Sequence, residues 1–79
     1  MNMSRKKKLL KMQEQLEALK EKFEEIREIE QEYFDNLSES KQESDKGTES
    51  EDAISNLDDV VNYLDYAIDS ASSAIGEID

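Results

Sequence analysis

Leu9, Met12, Leu16, Leu19, Phe23 and Ile26 follow one another at alternating steps of three and four, with charged or amide side chains filling most positions between. This is the period of an α-helix carrying a strict a/d heptad stripe, and it predicts a first helix over about residues 4–36. The next heptad position is Glu30, which breaks the stripe. Ile29, Tyr33 and Leu37 carry it on in a shifted phase, where a straight helix drifts or a coiled coil over-winds. Tyr33 is therefore expected in the core beside Ile26, Ile29 and Leu37. Phe34 falls on the flank and is expected to be the more exposed ring.

A second periodic segment is predicted over about residues 50–78. It is an internal heptad repeat, "AISNLDD", "VVNYLDY", "AIDSASS", "AIGEID", beginning at residues 53, 60, 67 and 74. Ile54, Leu57, Val61, Leu64, Ile68, Ala71, Ile75 and Ile78 keep steps of three and four, and Ala53, Val60, Ala67 and Ala74 widen the stripe on one side. A stripe three positions wide per heptad suits a helical bundle better than a two-stranded seam. Leu57, Val61, Leu64, Ile68, Ala71 and Ile75 are the candidate oligomerisation core. The interior of this segment is rich in Asp, Ser and Asn, mediocre helix formers, so the helix depends on packing. Thr48 and Glu51 match a capping box at its start.

The connection, about residues 37–49, is polar, includes Gly47 and has no apolar period. An extra helical turn is expected at Ser38–Gln42. Two helices of similar length joined by a short connection predict an antiparallel helical hairpin, one all-α domain over residues 1–79. Two facing helices cannot bury both stripes fully. The expected remedy is dimerisation into a four-helix bundle, with completion on another protein as the competing arrangement.

Composition narrows the function. The 79 residues include no Cys and no His, so disulfides, thiolate metal sites and the commonest general base are absent. An EF-hand loop with Gly47 at its sixth position would run from Gln42 to Ala53, which lack the required carboxylates at both ends. No phosphate-binding glycine loop and no nucleophile–base pair can be assembled. A non-catalytic protein with no cofactor and no metal is expected. The basic start, "RKKKLLK", reaches only Leu9–Leu10 before turning polar, which predicts neither a secretory signal nor a membrane span, and hence a cytoplasmic protein.

Charge is unevenly distributed. The net charge is −11, yet residues 1–11 carry Arg5, Lys6, Lys7, Lys8, Lys11 and no acid. No base follows Lys46. The hairpin sets the basic start beside Glu77 and Asp79, while the other end crowds Asp35, Glu49, Glu51 and Asp52. Such a surface repels nucleic acid over most of its area and favours a basic protein partner. Asp58, Asp59, Asp65 and Asp69, with Tyr63 and Tyr66 among them, form the candidate partner-binding patch, joined by Phe34. Tyrosine supplies rigid amphipathic contact area. The alternative is that these rings only flank the core with their hydroxyls in water.

At "EQEYFDNLSESKQESDKGTESEDAISNLDDVVNYLDYAID" the chain resembles short uncharacterised acidic helical proteins of phages and mobile elements. The shared pattern, over residues 30–75, joins an acidic helix, an aromatic-Asp-Asn-hydrophobic step, a Ser-Glu-Ser turn and a helix of "AI..L" heptads. The group carries Pro where Ser38 stands and an apolar residue at the place of Lys41. The resemblance implies a mobile-element accessory protein and assigns no site residues. Together with the charge, it gives an expected function as an inhibitor that mimics DNA on a basic host surface. A structural or scaffolding coiled-coil module, its acids serving solubility, is the alternative.

Overall fold

The structure, a computed structural model, describes residues 2–78. It contains α1 (Asn2–Asp35), α2 (Glu39–Gln42) and α3 (Asp45–Gly76). Among the described residues there is no strand. The long helices α1 and α3 run antiparallel: Gln13 meets Ser72, Lys20 meets Asp65, and Arg27 meets Asp58. They form a thin rod with Cα extents of 61 × 14 × 12 Å.

The closed end is built by local hydrogen bonds. The Phe34 carbonyl accepts from the Leu37 N–H (3.1 Å) and from Gln42 Nε2 (3.0 Å), which satisfies one of the open carbonyls at the end of α1. The expected extra turn is present as α2. Helix α3 begins at Asp45, five residues before the expected start, so the connection is shorter than 37–49. Ser44 is the extended residue at the helix entrance (φ −83°, ψ 176°), as Ser38 is at the start of α2 (φ −65°, ψ 157°). Thr48 lies inside the helix instead of capping it. Its N–H and its hydroxyl both approach the Ser44 carbonyl, at 3.0 and 3.3 Å.

Gly47 is buried where α2 turns into α3. A Cβ there would sit 1.9 Å from the Gln42 carbonyl oxygen. The close approach of two backbone segments is what requires glycine, since its helical φ is one that any residue adopts.

The stripe on α1 divides. Leu9, Leu16, Phe23 and Leu37 are half-buried, and Glu30 continues their seven-residue period. Met12, Leu19, Ile26 and Tyr33, also seven residues apart, are between 44 and 51% exposed. The expectation for the aromatic pair is reversed: Phe34 is half-buried and Tyr33 is exposed. The reason is the seam itself. Beside each inward apolar residue of α1 stands a polar one, Gln13, Lys20 or Arg27, turned toward α3. These side chains take the places that Met12, Leu19 and Ile26 were expected to fill. Glu30 is accommodated by Ser50, which is 3% exposed and donates its hydroxyl to Glu30 Oε2 at 2.6 Å.

Ile54, 8% exposed, is the most deeply buried apolar side chain among the described residues, and none is fully buried. Asp79, expected beside the basic start, lies outside the described residues.

Gly47→Ala should destabilise the hairpin by about 1–3 kcal/mol, the usual cost of overpacking, because the obstacle is backbone. Gly76→Ala meets nothing within 4 Å and should be neutral or stabilising by up to about 1 kcal/mol. Urea denaturation of the two variants checks the contrast.

Candidate protein-interaction surfaces

The two flanks of the hairpin differ in chemistry. On one, three polar rungs recur every seven residues. Gln13 Nε2 donates to the Ile68 carbonyl (3.2 Å) and to Ser72 Oγ. Lys20 Nζ lies 2.6 Å from Asp65 Oδ1. Arg27 Nε lies 2.9 Å from Asp58 Oδ1, and its Nη1 reaches Glu28 at 3.2 Å. Open grooves on this flank are lined by Gln31, Phe34, Ile54 and Asp58 near the closed end, and by Glu17, Lys20, Glu24 and Asp65 farther along.

These pairs are half-exposed, so water and salt weaken them. They act on register more than on stability. The Lys20 ammonium is raised above its ordinary pKa of 10.5, first by the hydrogen bond it donates to the Asp65 carboxylate. Partial desolvation opposes the rise, and the charges of Asp65, Glu24 and Asp69 assist it. Arg27 is raised in the same way, first through its hydrogen bond to Asp58.

The candidate partner-binding residues therefore separate into two groups. Asp58 and Asp65 are engaged with bases of α1. Asp59, Tyr63, Tyr66 and Asp69 are exposed on the outer side of α3, the tyrosines at 73 and 75%. Phe34 is half-buried near the closed end, in a groove it shares with Ile54 and Asp58. Leu57, Val61, Leu64, Ile68, Ala71 and Ile75 are half-buried on the side of α3 that packs against α1.

The opposite flank is apolar. Tyr33 and Ala53 line one groove there with Glu30, Lys46, Glu49 and Ser50. From that point, helical periodicity continues the face along α1 through Ile26, Leu19 and Met12. It continues along α3 through Val60, Ala67 and Ala74. The signal for this division was present in the sequence: Gln13, Lys20 and Arg27 repeat with the same period as Asp58, Asp65 and Ser72. Matching those two polar heptads, instead of following apolar residues alone, locates both flanks.

No cluster of three metal-ligating side chains occurs among the described residues, and no described helix is long and apolar enough to cross a membrane. No protein family, curated protein or solved structure matches the chain.

The raised Lys20 pKa makes a signed prediction. The folded chain holds this proton more tightly than the unfolded chain. The contribution is therefore complete below the ordinary lysine pKa and is lost as pH rises through it toward the raised folded value. The melting temperature should fall as pH climbs from about 9.5 to about 11.5, across the lysine range. Lys20→Met should flatten that profile while keeping the apolar stem.

Proposed function

We propose that this chain is a non-catalytic protein-binding protein. It pairs with a second copy of itself and presents the outer face of α3 to a basic, nucleic-acid-binding surface on another protein. The observation that carries this reading is the outer face itself: Tyr63 and Tyr66 stand about three-quarters exposed between Asp59 and Asp69, on a helix with no base after Lys46. Aromatic rings beside fixed carboxylates suit a partner rich in Arg and Lys. The acids provide long-range attraction, and the rings provide contact area and cation–π faces. Occupying such a surface blocks nucleic acid by charge mimicry, the mode of an inhibitor carried by a phage or mobile element.

The second reading is a structural coiled-coil module. It is favoured by the exposed apolar flank of α1, which serves assembly whatever the acids do.

The two readings separate in a capture experiment with the full chain as bait. Asp59→Asn/Asp69→Asn and Tyr63→Ala/Tyr66→Ala should each lose a basic partner that the unaltered chain retains at low salt. Retention should fall steeply as salt is raised. Capture unchanged by both double variants overturns the acidic-face reading and leaves the module.

A further inference from the structure

We infer that the apolar flank is closed by a second copy of the chain, docked so that the closed end of each hairpin lies beside the open end of the other. This deepens the dimer in the reading above and rests on it. It assigns the interface to Met12, Leu19, Ile26 and Tyr33 on α1 with Val60 and Ala67 on α3, a different surface from the seam inside the hairpin.

Three observations lead to this occupant. The first is the need for cover. Four large side chains in a row with a period of seven are each about half exposed, and among the described apolar residues only Ile54, at 8% exposure, is buried. An apolar row of about 32 Å, two helices wide, approaches the surface that a stable dimer buries on each partner, about 800 Å².

The second is internal symmetry. Met12 and Tyr33, like Leu19 and Ile26, are equidistant from a point between residues 22 and 23. Ala53 and Ala74, like Val60 and Ala67, are equidistant from a point between residues 63 and 64. The Lys20–Asp65 and Arg27–Asp58 pairs bring those two points to nearly the same level of the rod. A two-fold axis crossing the flank at that level maps the pattern of both helices onto itself, as an isologous interface requires. Leu19 of one copy then faces Ile26 of the other, Met12 faces Tyr33, and Val60 faces Ala67. The small residues of α3 permit close helix approach.

The third is charge. The run Lys6–Lys8 with Lys11 lies at the open end against Glu77, whereas Glu32, Asp35, Glu39, Glu43 and Asp45 at or near the closed end outnumber Lys41 and Lys46 there. Docking closed end to open end sets opposite charges together. The other two-fold arrangement, with like ends together and α1 over the partner's α3, crowds the acidic ends against each other.

The chain contains no cysteine, so paired cysteine variants of the full chain report the arrangement directly. Leu19→Cys and Ile26→Cys chains, differently tagged, are mixed and oxidised, and a Leu19→Cys with Ala67→Cys mixture is treated alongside. Light scattering gives the mass of the unaltered chain and of Ile26→Lys. The expected result is a mass of twice 9.1 kDa for the unaltered chain and 9.1 kDa for Ile26→Lys. Efficient cross-linking is expected for the 19–26 mixture only. A dimer that cross-links through 19 and 67 overturns the arrangement while leaving dimerisation standing. A monomer of the unaltered chain at tens of micromolar overturns both. Loss of a captured partner through Asp59 or Tyr63 affects neither result.

Discussion

The arrangement of this hairpin depends on three polar side chains of α1, Gln13, Lys20 and Arg27, that point into the seam with α3 instead of away from it. Each finds a hydrogen-bonding partner one heptad from the next, at Ser72, Asp65 and Asp58. Half-exposed rungs add little stability one by one, but all three are made together at one register of the two helices, so they select that register. That choice rotates α1 about its axis. Leu9, Leu16 and Phe23 remain inside, and Met12, Leu19, Ile26 and Tyr33 are turned out onto one flank.

The same rotation explains why the fold was easier to read in the sequence than the surfaces. Two helices, their antiparallel hairpin and the small turn between them follow from the heptad period and from the polar break around Gly47. The rotation of α1 does not follow from apolar residues alone, because a row at steps of three and four marks a face without saying which neighbour each edge meets. The reversal of Tyr33 and Phe34 has that origin. So does the role of Glu30, which looks like a defect in an apolar stripe and is a hydrogen-bonded member of the seam once Ser50 stands opposite. The early start of α3 has a different cause. Thr48 and Glu51 satisfy the capping pattern locally, but the tight approach of Gly47 to Gln42 lets the helix begin at Asp45.

The candidate acidic patch was legible as composition and only half legible as a surface. Residue type alone does not separate Asp58 and Asp65 from Asp59 and Asp69; only the first two share the heptad position of Ser72 that matches Gln13, Lys20 and Arg27. Helical geometry separates them: the first two reach the bases of α1, and the others face outward with Tyr63 and Tyr66. The outward set is smaller and more aromatic than the net charge suggests. The described chain is a thin rod with a polar flank, an apolar flank and an acidic aromatic back.

Register is the most direct point of attack. Arg27→Asp and Asp58→Arg, made singly and together, exchange the two charges of one rung, and Lys20→Asp with Asp65→Lys does so at the next. Each single reversal should lower the melting temperature, and each paired exchange should recover most of the loss, because the pair is rebuilt in the opposite sense. If the paired exchanges melt at the temperature expected from adding the single effects, the rungs are not formed in solution, and the division into a polar and an apolar flank is contradicted.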